Sequence, residues 1–178
     1  SVPPDSWPVR HQQLDNFNQW LMKGKLAVIQ PERSDNLVIN QWRQANNSFD
    51  IHVSSVLLGL GATHIKGTPN SLYLQQTDEP LLHSNDPADL LGSALGWSLP
   101  LESLRFWIKG LPSPETPAGL YFDDMGNLFR IDQNQWLVQL DRYQPVGDLL
   151  LPGKVTLTKD DVKLKVVITD WNRTCQDC

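Results

Sequence analysis

The hydrophobic pattern starts at a period near 3.6 and then falls to two. Between Val9 and Leu21, Leu14, Phe17 and Leu21 recur at i, i+3 and i+7, with Trp20 alongside and Gln and Asn between. That spacing predicts a first helix with Gly24 as its stop. From Lys25 the alternation in KLAVIQ, DNLVINQW, FDIHV, ATHIKG and SLYLQ predicts successive strands. Pro31 to Asp35 and Ala45 to Ser48 are short enough for hairpin turns, so neighbours in sequence are expected to pair antiparallel in the sheet. Asp86 followed by Pro87 then opens a helix through Ala88, Leu90, Leu91, Ala94 and Leu95 to Gly96.

A further helix follows in PLESLRFWIKGLP, Pro100 to Pro112. On an ideal helix Leu101, Leu104, Trp107, Ile108 and Leu111 fill one stripe about 120° wide. Glu102, Arg105 and Lys109 line the opposite, wet side, and Phe106 lies beside them. Gly110 and Pro112 end the segment. This is more apolar surface than a surface helix needs, so it reads either as a cap on an ordinary β core or as a lid over an apolar cavity. After Pro117 the strand pattern returns in GLYFD, LFRID, QWLVQLD, KVTLT and VKLKVVITDW. In the last of these Val162, Leu164, Val166 and Ile168 oppose Lys163 and Lys165, which gives one dry face and one wet. A helix, a meander, two helices and a second meander predict a mainly β fold with one curved antiparallel sheet and helices over its concave side. The expected organisation is a tether over residues 1–6, a single domain over 7–171 and a tail over 172–178.

Composition narrows the function classes. The 178 residues, 40% hydrophobic and 20% charged, suffice for one globular domain with a sizeable core or an enclosed pocket. A net charge of -5 argues against nucleic acid, which asks for clustered Lys and Arg, and disfavours adhesion to an anionic membrane. No run of about 18 apolar residues occurs, and Ser1 begins without signal-peptide features, which leaves a cytosolic protein or one whose leader has been removed. Seven Trp suit apolar sites with one polar edge.

Candidate chemistry is sparse. There is no GxSxG nucleophile elbow, and GLG at 59–61 lacks the third glycine of a dinucleotide site. His52 and His64 fall at outward positions of adjacent predicted strands; with no third ligand apparent, they read as exposed cross-strand residues. The pairs Asp123–Asp124 and Asp160–Asp161 read as turn chemistry. Cys175 and Cys178 form a lone CxxC that cannot complete a zinc site by itself, and it reads as a tail disulfide or an incidental end. No catalytic residue, metal or cofactor is expected. The apolar run Val56 to Gly61, where a turn should be polar, is either a buried bulge or barrel corner, or a loop that pushes leucines into lipid or a partner.

Many of these residues, in order, resemble the outer-membrane lipoprotein receptor family LolB: Trp7 with His11, Gln12 and Gln13; Lys23 and Gly24; Trp42 and Gln44; Leu58 and Gly59. The strongest stretch is Leu99 to Pro112, through Pro100, Leu101, Ser103 to Arg105, Trp107, Ile108 and Gly110 to Pro112. Leu151, Pro152, Lys154, Leu157, Thr158, Leu164, Lys165 and Trp171 continue the order. The resemblance implies an unclosed antiparallel β-barrel, plugged by about three helices and enclosing an apolar cavity for acyl chains. It implies a monomer that accepts acylated lipoproteins from a LolA-type periplasmic carrier and inserts them among outer-membrane lipids. It further implies an anchor on the periplasmic face of the outer membrane through an acylated Cys, expected immediately or shortly before Ser1. A protruding loop leucine would serve insertion; Leu58 aligns best, with Leu57 and Leu60 beside it. Trp42, Leu104, Trp107, Ile108, Leu111 and Trp136 are the candidates for cavity or lid, the three tryptophans being equally compatible with plain core packing. A stand-alone binder of lipids or other hydrophobic ligands is the rival reading.

Overall fold

Residues 19–30, divided by the sequence pattern between the end of a helix and the start of a strand, form one continuous strand. The computed structural model describes residues 2–55 and 61–173. Its elements begin with α1 (Trp7–Asp15), β1 (Gln19–Gln30), β2 (Arg33–Ala45), β3 (Ser48–Ser55), β4 (Ala62–Thr68), β5 (Ser71–Gln76) and β6 (Leu82–Ser84). Two helices follow, α2 (Pro87–Leu95) and α3 (Leu101–Trp107). The second run comprises β7 (Gly119–Phe122), β8 (Leu128–Gln133), β9 (Trp136–Asp141), β10 (Gln144–Val146), β11 (Leu149–Leu151), β12 (Lys154–Lys159) and β13 (Val162–Arg173).

The first helix is therefore shorter than its pattern predicted. It ends at Asp15, and the Asn16 N–H bonds back to the carbonyls of Gln12 and Leu14. Trp20 and Met22 point inward with the alternation of a strand, not the spacing of a helix. The cause is tertiary: β1 is laddered on both sides, to β2 and to β13, and that pairing outweighs the local period.

Eleven strands form one antiparallel sheet in the order β6-β5-β4-β3-β2-β1-β13-β12-β9-β8-β7. Each meander is laid down in sequence order, and β1 against β13 joins the two. The sheet does not close, because β6 and β7 remain as edges. The β10–β11 hairpin stands apart; its three-residue strands, one holding Pro145, are too short to carry a legible alternation. The β8–β9 turn has Asn134 and Gln135 both at positive φ, the requirement of a two-residue type I′ connection.

Gly24, expected to stop a helix, sits instead at a bulge where the register of β1 shifts against both neighbours. A Cβ there would lie 2.3 Å from the Val167 carbonyl oxygen. Gly24→Ala is therefore expected to push β1 off β13 and cost about 2 kcal/mol, seen as a lower urea midpoint. An unchanged midpoint would mean that the seam is looser than this contact requires.

Candidate functional site

Beneath the helices lies one apolar interior. Trp42, Leu104, Trp107, Ile108, Leu111 and Trp136 all belong to it, with exposures between 0% and 6%. Two strands and α3 bring them there: Trp42 from β2, Trp136 from the start of β9, and the rest from α3 and the turn after it. Trp20 joins this aromatic group, its ring 5.2 Å from Trp42 and 5.1 Å from Trp171. Reading residues 9–21 as a helix hid that contribution. Trp171 has a fixed place, its indole N–H donating to the Pro152 carbonyl.

α3 is held rigidly. It buries Leu101, Ser103, Leu104, Phe106 and Trp107. The Trp107 indole N–H donates to Gln133 Oε1 at 2.8 Å, and the same oxygen accepts from the Ser113 amide at 2.9 Å. Gln133 Nε2 donates in turn to the carbonyls of Ser113 and Thr116. One buried amide thus ties α3, the segment after it and β8 together, which no sequence motif announced.

The helical wheel predicted a wet charged stripe for this segment, and it is wet only at its start, where the Glu102 side chain is 42% exposed. Lys109 is 2% exposed, and Phe106 is buried as well. The helix ends at Trp107, and tight turns follow, with the Lys109 amide bonded to the Phe106 carbonyl and the Gly110 amide to that of Trp107. The wheel no longer applies there. Lys109 Nζ reaches the α1–β1 connection, donating to the Phe17 carbonyl at 2.9 Å and to Asn18 Oδ1 at 3.3 Å, and lies 5.6 Å from the Phe106 ring. Burial pulls its pKa down to about 8; Asp15 opposes that shift and Arg105 adds to it. Arg105 pairs with Glu102, as the i, i+3 spacing predicted, and also donates to the Asn46 carbonyl.

α2 is held differently. Asp86 caps it by accepting from the Asp89 amide, and Gly96 closes it with φ 82°, as the sequence predicted. Yet only Leu91 is fully buried. Leu90, Ala94 and Leu95, with Trp97 and Leu99 in the link to α3, are half-buried against the core. This is the part of the helical cover with the fewest anchors.

The six candidates are almost wholly shielded from solvent. Two open surface concavities, of about 470 Å³ beside Gln13, Asn18, Asn46 and Arg173 and about 330 Å³ beside Asn40, His52, His64 and Gln75, include none of the six candidates. Leu57, Leu58 and Leu60, with Cys175 and Cys178, lie outside the described residues. His52 and His64 are register partners across β3 and β4, and Asp50, which the sequence reading did not place with them, meets both imidazoles. No helix among the described residues is long and apolar enough to cross a membrane.

Comparison with known proteins agrees with this architecture. A LolA superfamily protein of Nitrosomonas europaea superposes with a TM-score of 0.56 over 99% of this chain and 96% of that one, at 6% identity, a likeness of fold alone. The outer-membrane lipoprotein LolB of Marinobacter nauticus is 39% identical over 173 residues, covering 96% of this chain and 83% of its own. That of Cellvibrio japonicus is 32% identical over 175 residues, covering 96% and 85%. The family model described as outer membrane lipoprotein LolB matches residues 18–171. With the family model matching most of the chain and relatives matched over more than four fifths of their own length, the chain belongs to the LolB family.

Proposed function

We propose that this protein is an outer-membrane lipoprotein receptor: it takes acylated lipoproteins from a LolA-type carrier and inserts them into the outer membrane from its periplasmic face. The observation that carries this reading is family membership across the whole sheet together with an apolar, Trp-rich interior under a partly anchored helix. The task needs no covalent chemistry and no cofactor. Each acyl methylene withdrawn from water is worth about 0.8 kcal/mol, so transfer depends on apolar surfaces that meet without exposing the chains.

Because the six interior candidates are buried from solvent, entry of acyl chains requires the cover to move. α3 is pinned by Gln133 and Lys109, which favours α2 and its link to α3 as the moving part, with Leu104, Trp107, Ile108 and Leu111 as floor. The receptor works as a monomer built on one domain over residues 7–171 and is held at the membrane by an acylated N-terminal Cys. The apolar loop carrying Leu57, Leu58 and Leu60 is the inserting element.

The test is to load a LolA-type carrier with an acylated lipoprotein, add this protein and vesicles of outer-membrane lipids, and follow the lipoprotein. Transfer to vesicles is expected, and absence of uptake from the carrier rejects the receptor reading. Leu58→Glu should keep uptake and lose delivery; normal delivery would remove Leu58 from the insertion step.

A further inference from the structure

The outer face of the sheet carries a cluster that the interior does not use. His52 and His64 are register partners on β3 and β4, and their rings stack with centroids 4.0 Å apart and planes 14° apart. Asp50, two residues before His52, shares their face by the strand period. Its Oδ1 accepts from His64 Nε2 at 2.7 Å and lies 3.1 Å from His52 Nε2. Arg43 and Lys66 flank Asp50 in register on β2 and β4, yet its salt bridges among the described residues run to the two imidazoles.

We propose that Asp50, His52 and His64 form a binding site for a divalent first-row metal ion of the zinc class. Two imidazole nitrogens and one carboxylate oxygen are ligands such an ion prefers. Their donor atoms all lie within 4.8 Å of one another. Bonds near 2.0–2.1 Å would bring tetrahedral donors to about 3.4 Å apart, a small adjustment for side chains 47%, 39% and 32% exposed. The point where the two Nε2 atoms converge on one carboxylate oxygen is where a cation would sit, each imidazole then binding through Nε2 in the neutral tautomer that keeps its proton on Nδ1. Gln41 stands opposite His52 and Gln75 opposite His64, and the adjoining hollow of about 330 Å³ admits the water that fills a fourth position. The site is thus open and exchangeable, unlike a closed structural zinc centre. A bound ion would staple β3 to β4 along their shared ladder.

The experiment is calorimetric titration of the chain with ZnCl2 in a Cys175→Ser, Cys178→Ser background, so that thiols do not compete. One ion per chain is expected, with affinity falling about tenfold or more in each of Asp50→Asn, His52→Ala and His64→Ala. Zinc should also raise the melting temperature of the parent and not of His64→Ala. Histidine side-chain NMR on the unsubstituted positions supplies a readout independent of variant folding: the resonances of His52 and His64 should shift, ahead of those of His11 and His83. No binding, unchanged affinity in both histidine variants, or shifts confined to His11 and His83 would overturn the proposal.

Discussion

Gln133→Leu is expected to destabilise the folded chain by about 4 kcal/mol, although it exchanges side chains of similar volume. Gln133 is 3% exposed, so water does not readily replace it. Its loss strands the Trp107 indole N–H and the Ser113 amide, both now bonded to Oε1, and the Ser113 and Thr116 carbonyls, both now bonded to Nε2. A buried donor or acceptor left without a partner costs about 1–3 kcal/mol, and partial relaxation of the loop 108–118 recovers some of the sum. Urea unfolding measures it. A loss below about 1 kcal/mol would mean that water enters beneath α3, and that the interior is wetter than its packing indicates.

The second large effect lies in pH. Relative to Lys109→Met, the parent chain should gain about 3 kcal/mol of stability between pH 7.5 and pH 10.5. Desolvation holds Lys109 near 8, against an ordinary value of 10.5. Below pH 8 the lysine is protonated in both states, and the folded one bears the cost of a buried cation. Between the two values the folded chain releases the proton while the unfolded chain keeps it, so the unfolded state binds more protons and stability rises with pH. Above 10.5 the gain levels off. Burial also raises the Tyr143 phenol well above its usual range, which opposes the trend at high pH, but that contribution is common to parent and variant and cancels. Denaturant midpoints across the range supply the two curves. Parallel curves would show that the ammonium keeps its hydration.

Much of the sheet was readable because strand alternation is a local signal that tertiary packing here reinforces. KLAVIQ, DNLVINQW, ATHIKG and VKLKVVITDW all fall within strands, and the Asp86–Pro87 start and Gly96 stop of α2 match their local chemistry. The misreadings have physical causes. Leu14, Phe17 and Leu21 mimic a helical stripe, but β2 and β13 claim the chain from Gln19 onward for the sheet, and Phe17 falls in the connection before it. Lys109 lies past the end of its helix, where a wheel projects side chains in directions the backbone no longer takes. Trp42, Trp107 and Trp136, named together from sequence and resemblance, are all buried in the interior, whereas Gln133, which fixes one of them, carries no signature, because a glutamine before a turn is commonplace. Asp50 could have been found: two residues from His52 in a strand means the same face.

The seam between β1 and β13 has a consequence for how the chain comes into being. The strand that completes the middle of the sheet follows every other described strand in the sequence, so β1 keeps one hydrogen-bonding edge vacant until all of those strands have been made. Long-range closure of this kind is slow, and an open strand edge beside apolar side chains invites pairing with other chains. For a protein of the outer membrane that delay is an advantage, because a fold that cannot close early leaves the chain easier to export.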